Sequence, residues 1–349
     1  MHITEGIITG GSAIGYSGAG LALAWYGTRK MKHFAADHPD KKPLLGMAGA
    51  LIFFVSLLPI PAFTGTCSHP CGTPFIAILF GPAIAIALAG GSLLLQAAFF
   101  AHGGFGTWGA NVVALGFFGC LGGWGSFRII RKMGLPLWLA GFMGGLIGDV
   151  MVYASSGLIL SGELAAAPTP QYSLSGYLMA IYAAYLPTQL PIAIGEMVIT
   201  GLALQYIYKQ RPEVLIDLGV VKGLPERFGK TKAIALLSIF LTLSLWILPS
   251  NNAFATHDQK ETTTRQNSSM AAHQQPLNSF SGMDESVNEA MAENAGIIPK
   301  APYINIEAMG DLWNALLLTA GGICGFVLGR WWHLIGGKGV MRNGQTSDA

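Results

Sequence analysis

Apolar residues along this chain gather into long runs separated by short polar or basic stretches. The runs cover about 7–27, 43–63, 74–101, 108–127, 136–160, 174–208, 233–249 and 312–335. Most approach or exceed the ~20 residues an α-helix needs to cross a bilayer. The pattern predicts an all-α polytopic membrane protein. Composition agrees: 52% of residues are hydrophobic and 11% are charged, against about 25% charged in a typical soluble domain. The 47 glycines fit helices that pack closely through small residues. The net charge of +2 says nothing of nucleic acid; the apolar runs imply membrane lipid as a partner, and no nucleic acid is expected.

Positive charges then set the path of the chain. Arg29, Lys30, Lys32, Lys41 and Lys42 follow the first run, so that loop is expected to be cytoplasmic and the N-terminus outside. A single span over 74–101 would put Arg128, Arg131 and Lys132 outside, together with Lys209 and Arg211. Breaking the run at Gly81-Pro82 removes the conflict, because proline suits the first turn of a new helix. Residues 70–81 become a short inward limb, and 83–101 a full outward span. Twelve residues rise only ~18 Å as a helix, less than the ~30 Å of hydrocarbon. The preceding stretch Thr64 to Pro70 must therefore dip into the protein, where irregular backbone is tolerated. The basic loops 28–42, 128–132, 209–232 and 330–342 then share the inside and hold 17 of the 20 Lys and Arg residues. The result is nine membrane segments, with the N-terminus outside and the C-terminus inside.

Two modules are expected. Residues 1–208 form a seven-segment helical unit, and 209–232 a cytoplasmic linker. Residues 233–349 form a two-span module, with spans 233–249 and 312–335 around the external polar loop 250–311. That loop is rich in Gln, Asn, Ser, Thr and Ala and is expected to be flexible, with one short amphipathic helix near Asp284 to Ala295. Lys230 to Ala255 resembles a signal sequence ending at Ala253-Phe254-Ala255, although an ordinary span ending in a polar loop is the preferred reading. Met1 to Gly6 has no basic n-region, so the chain is expected to start as made. A bulky second residue should also keep Met1 in place.

The candidate chemistry lies on the expected outer face. Met1-His2 offers three nitrogens at one corner: the terminal amine, the His2 amide and the His2 imidazole. Taken singly, His2 means little. The dip Thr64-Gly-Thr-Cys-Ser-His-Pro-Cys-Gly-Thr73 brings His69 to the same face, making a set of four nitrogens. Imidazole suits nickel, cobalt, copper and zinc, and a set containing an amide favours a square plane, hence Ni²⁺ or low-spin Co²⁺. Cys67 and Cys71 bracket His69. They could ligate a soft metal, form a disulfide, or pack the dip as small buried residues; packing is preferred. His102 reads as a helix-end histidine, with a place behind the ligands or on the incoming path as the alternative. Asn111 is a candidate to orient a ligand imidazole, and Glu5 a candidate partner of the site. Asp149 and Glu196 lie within spans, where ionisable groups usually face an interior. Cys120 and Cys324 are expected to pack. His33, His38 and His333 fall inside, and His257 and His273 in the polar loop. Phe228-Gly-Lys-Thr231 lacks an upstream glycine loop, so no ATPase and no enzyme activity is expected of the chain.

Several stretches together resemble the CbiM/NikM family. They are Met1-His-Ile-Thr-Glu-Gly6, Val55 to Pro61 ahead of the dip, Ala77-Ile-Leu-Phe-Gly-Pro82, and Gln96 to Gly104 followed by Gly109-Ala-Asn111. The resemblance spans roughly residues 1–208. It implies the substrate-binding membrane subunit of an energy-coupling factor transporter for cobalt or nickel. It maps the metal onto the Met1 amine, the His2 amide and imidazole, and His69. It also implies a transmembrane coupling subunit and two cytoplasmic ATPases as partners, in a bacterial or archaeal cytoplasmic membrane. No cofactor is implied; Co²⁺ or Ni²⁺ is the cargo. Thr-Cys-Ser-His-Pro is closer to the cobalt branch, which feeds cobalamin synthesis. Thr4 and Cys71 depart from the family pattern. The two-span module resembles the auxiliary subunit CbiN in topology alone. A membrane metal sensor and a redox protein using Cys67 and Cys71 are the readings from other classes.

Overall fold

In the computed structural model, which describes residues 2–57, 60–61, 67–100, 102–222 and 291–298, seven helical segments fill the first 210 residues. In order these are α1 (Gly10–Asp37), α2 (Lys42–Leu57), α3 (Thr73–Phe80), α4 (Pro82–Phe99), a continuous rod, α7 (Leu137–Ala165) and α8 (Leu174–Gln210). The rod joins α5 (Trp108–Asn111), a π-helical stretch Val112–Phe118, and α6 (Gly119–Lys132). A short α9 (Pro212–Asp217) follows. Among the described residues, four helices are long and apolar enough to cross a membrane: Pro82–Phe99, Trp108–Lys132, Leu137–Ala165 and Leu174–Gln210. The protein is an all-α multi-pass membrane protein.

The break at Gly81 is where the charge argument puts it. Gly81 closes α3 and opens α4 with φ +85°, a conformation that costs glycine no steric penalty. Pro82 takes the first helical position of α4. The eight residues of α3 rise only ~12 Å, so the limb starts deep in the protein. It enters through a slot of glycines. A Cβ on Gly148 would lie 2.4 Å from Pro74 Cγ, and one on Gly123 2.6 Å from Pro74 Cβ. Pro74 is thereby wedged between α6 and α7. Helix α1 crosses the start of the rod as closely: a Cβ on Gly109 would lie 2.2 Å from the Tyr16 carbonyl oxygen.

Two boundaries differ from the sequence expectation. The second segment stops at Leu57 instead of reaching 63, because Pro59 and Pro61 disfavour helix in the residues before them. The first runs to Asp37 instead of 27. No proline or glycine interrupts residues 28–37, and Arg29 and Lys30 lie over Trp25 and Tyr26, 4.9 and 5.7 Å from the ring centroids.

Contacts sort the loops onto two ends. Lys41 Nζ lies 3.2 Å from Asp217 Oδ2, so the first basic loop and the residues after α8 share one end. At the other end, Ser12 Oγ donates to Glu163 Oε2 at 2.9 Å. There the turn after α7 also meets residues 291–298: Gln171 Nε2 donates to the Asn294 carbonyl at 2.9 Å, and Thr169 N–H to that of Ala295 at 3.3 Å. Residues 291–294 are helical, within the short helix expected near Asp284 to Ala295. Met1, spans 233–249 and 312–335, and the signal-like stretch 230–255 lie outside the described residues.

Candidate metal centre

Three chain segments converge at the end of the bundle where Ser12 meets Glu163. The first is the N-terminal strip ahead of α1. Its backbone is held at Ile3 from both sides. Ile3 N–H donates to Asn111 Oδ1 at 2.8 Å, and its carbonyl accepts from Thr107 Oγ1 at 2.8 Å and Asn111 Nδ2 at 3.2 Å. All three groups are buried. Glu5 anchors the strip further along, accepting from Gly106 N–H at 2.8 Å. Gly104 leaves room for that carboxylate: a Cβ there would sit 1.9 Å from Glu5 Oε2.

The second segment is the dip. Cys67–Ser68 pairs antiparallel with Ile60–Pro61 and leads the chain back to His69. Tyr153 O–H donates to the His69 carbonyl at 2.9 Å. Two residues on, the Glu196 carboxylate accepts from Cys71 N–H at 2.7 Å and Gly72 N–H at 2.8 Å. Gly72 turns into α3 at φ +69°. The dip is therefore fixed to α7 and α8 by charged and polar groups on those helices. The third segment is the link after α4, which carries His102.

The convergence brings three imidazoles together. His2 Nδ1 lies 3.0 Å from His69 Nε2, and His102 Nε2 lies 3.4 Å from the same atom. The His2 ring centroid is 4.8 Å from that of His69 and 4.3 Å from that of His102. His2 and His69 are each 3% exposed. His69 Nδ1 lies 3.1 Å from the Pro70 carbonyl oxygen, which can only accept. The proton therefore sits on Nδ1, and Nε2 offers its lone pair to the centre. Burial holds both His2 and His69 well below the usual histidine range, with the neighbouring His102 adding to it. Both rings are neutral at pH 7, the form that ligates metal. His2 Nε2 is buried with no hydrogen-bond partner.

This donor set fits a transition metal. An ion ~2.05 Å from two nitrogens 3.0 Å apart subtends about 94°, close to the right angle of a square plane. The 3.4 Å pair gives about 112° with the same bond length.

The structure alters several roles read from the sequence. His102 is not simply a helix-end residue; it completes the imidazole cluster. Its position on the same face as His2 and His69 was the available signal, but only the backbone turn at Gly103, φ +75°, brings it in. Asn111 clamps the Ile3 backbone and does not orient a ligand imidazole. Glu5 serves the same strip and binds Gly106, not a histidine. Asp149 and Glu196 do face the interior. Cys71 is a buried free thiol that donates to Asp149 Oδ1 at 3.3 Å, so it is not held in a disulfide. Cys120 is buried in α6 against the Thr73 carbonyl, as a packing residue would be. His33 and His38 lie at the opposite, basic end. Met1, the Cys67 side chain, Cys324, His257, His273 and His333 lie outside the described residues.

The Ile3 clamp carries a prediction. Asn111→Ala removes both an acceptor and a donor from a buried backbone, loosening the residue next to His2. Loss of such an outer partner costs ~10–100-fold in metal affinity. Calorimetric titration of the purified variant with Co²⁺ should show a loss of this size; unchanged affinity would remove Asn111 from the site.

A multi-pass membrane protein with a largely buried imidazole cluster that could hold a metal ion is the class these features define. Residues 2–214 match the family model CbiM, described as the cobalt uptake substrate-specific transmembrane region, and the chain belongs to this family. A cobalt transport protein CbiM of Geobacter sulfurreducens is 35% identical over 338 residues, covering 96% of this chain and 90% of the relative. One of Sorangium cellulosum is 34% identical over 226 residues, covering 64% of this chain and 99% of the relative. A putative cobalt transport protein CbiM of Methanocaldococcus jannaschii is 38% identical over 222 residues, 63% of this chain and 93% of the relative. The crystal structure of a truncated transition metal transporter is 26% identical, covers 60% of this chain and 99% of its own, and superposes with a TM-score of 0.49. The 338-residue match must take in most of the second module. The others are little longer than the first.

Proposed function

We propose that the protein is the metal-capturing membrane component of an ATP-driven energy-coupling factor transporter that imports Co²⁺ for cobalamin synthesis. The ion is held by the Met1 amine, the His2 amide and imidazole, and His69. The observation that carries this is the 3.0 Å approach of His2 Nδ1 to His69 Nε2, both rings being buried. The N-terminus faces outward and the C-terminus inward in a bacterial or archaeal cytoplasmic membrane. A transmembrane coupling subunit and two cytoplasmic ATPases supply the drive; the basic end near Arg128 to Lys132 is where the coupling subunit docks. Residues 233–349 act as a fused CbiN-like partner. Ni²⁺ uptake is the second reading, because the right-angle nitrogen pair suits either ion.

Uptake separates a carrier from a metal sensor. Cells producing this chain with coupling and ATPase subunits should accumulate radiolabelled Co²⁺, and cells with an ATP-hydrolysis-dead subunit should not. Metal-dependent signalling without accumulation would overturn the carrier reading.

A further inference from the structure

A second donor cluster lies beside the first, and the capture site does not use it. Cys71, Asp149 and Glu196 are all buried, and each places a sulfur or carboxylate oxygen within 4.8 Å of the other two. Cys71 Sγ lies 3.3 Å from Asp149 Oδ1. Asp149 is fully buried, its Oδ2 accepts from no N–H or hydroxyl of the described residues, and its carboxyl meets that of Glu196. Two carboxyls in contact away from water need a shared proton or a cation between them, and a divalent cation would replace that proton. The Glu196 oxygens each accept one backbone N–H, and each keeps a further lone pair.

We propose that Cys71, Asp149 and Glu196 form a second, transient site for the transported divalent transition metal, reached from the histidine cluster on the way through the protein. This rests on the metal-uptake reading. The position is right for a relay. Tyr153 holds the His69 carbonyl and Asp149 meets Cys71 from the same helix α7. The two lie four residues apart, one helical turn or ~6 Å. Asp149 is on the side of the Leu137 end, toward the basic turn Arg128 to Lys132. An ion leaving the imidazoles in that direction meets the second cluster next. Both clusters also draw on the same dip, through His69 and Cys71, so one movement of the dip reshapes both.

The donor chemistry selects the ion. Sulfur with carboxylate oxygen suits cobalt or zinc and not magnesium or calcium. An ion ~2.3 Å from sulfur and ~2.1 Å from oxygen, across the 3.3 Å separation, subtends about 97°, an ordinary ligand angle. A set of one sulfur and two carboxylates without imidazole is less matched to the cargo than the nitrogen set. A site that must release its ion benefits from that. The competing account makes Glu196 an anchor for the dip and Asp149 its neighbour, with no metal role.

Cobalt spectroscopy on the full chain distinguishes them. The background variant is His2→Ala, His69→Ala, His102→Ala and Cys67→Ser, checked for folding by circular dichroism. Adding Co²⁺ should produce a near-ultraviolet sulfur-to-cobalt charge-transfer band that saturates at one ion per chain. Cys71→Ser should abolish the band, and Asp149→Asn should weaken binding at least tenfold. No band in the folded background, or a band that survives Cys71→Ser, overturns the proposal. Should the background variant fail to fold, the wild-type chain decides. Its sulfur band should emerge only after the first Co²⁺ equivalent, and its absence after two overturns the proposal. The first equivalent is read in the same titration by the ligand-field bands of nitrogen coordination. Failure there counts against the capture site and not against this one.

Discussion

Adding two residues ahead of Met1 should abolish tight Co²⁺ and Ni²⁺ binding while leaving the fold intact. The proposed capture site draws three of its four nitrogens from the first two residues. An extension converts the terminal amine into an amide and moves the new amine out of the chelate. What remains is the His2 amide, no longer anchored by an amine, and the His2 and His69 imidazoles, 3.0 Å apart, with His102 beside them. Affinity should fall by more than the ~10–100-fold that loss of an outer partner costs. Two residues are specified because a single added one would put the histidine third from the terminus. There an amine, two amides and the imidazole close a four-nitrogen set without His69. Calorimetry with each metal gives the affinity, and circular dichroism checks the helices. Near-wild-type binding by the extended chain would refute the terminal chelate and leave the three imidazoles as the whole site. His69→Ala in the unextended chain is the companion measurement and should be about as severe, since the His2 corner then lacks its fourth nitrogen.

Among the described residues, the pattern of apolar runs was sufficient for the helices because each run is long and each break is chemically marked. Gly81-Pro82 is the clearest case. The positive-inside rule required a break, glycine and proline offered one, and the chain turns there at φ +85°. His2 and His69 were legible for a similar reason: the topology left them on one face. What the sequence did not carry was contact across segments far apart in the chain. Asn111 and Glu5 have the right chemistry for a site near metal, but their partners are the backbones of Ile3 and Gly106. Choosing between a side-chain and a backbone partner needs the fold. The same holds for Cys71. Its spacing from Cys67 invited a disulfide or a metal clip, whereas its partner is Asp149, 78 residues away. The helix ends moved where local chemistry outweighs hydropathy, as with Pro59 after α2.

The clamp also prepares the N-terminal strip for the proposed chelate. A free chain end loses conformational freedom when it chelates, at ~1–2 kcal/mol per residue of backbone fixed. Here Ile3 is held by Thr107 and Asn111, and Glu5 by Gly106, through contacts of the protein's own groups. Most of that ordering accompanies folding, so less of it is charged against binding.

The affinity for Co²⁺ should rise steeply with pH through the neutral range, and the slope reports which nitrogens bind. Burial keeps His2 and His69 well below the usual histidine range, so both are already neutral at pH 6.5 and release no proton on binding above it. The terminal amine must lose a proton to bind wherever it is protonated. The His2 amide must lose its proton at any neutral pH. Two protons leave per ion while the amine is protonated, and one leaves once it is not. Affinity should therefore climb ~100-fold per pH unit in the first regime and ~10-fold per unit in the second, by proton linkage. Acid weakens binding because protons compete for the amine and the amide, not because the imidazoles charge. Calorimetry in buffers of different ionisation enthalpy counts the released protons directly. A flat profile from pH 6.5 to 8 would mean that imidazoles alone hold the ion. A slope of one that falls to zero as the pH rises would mean that the amine binds and the amide does not, which removes the reason for a square-planar set.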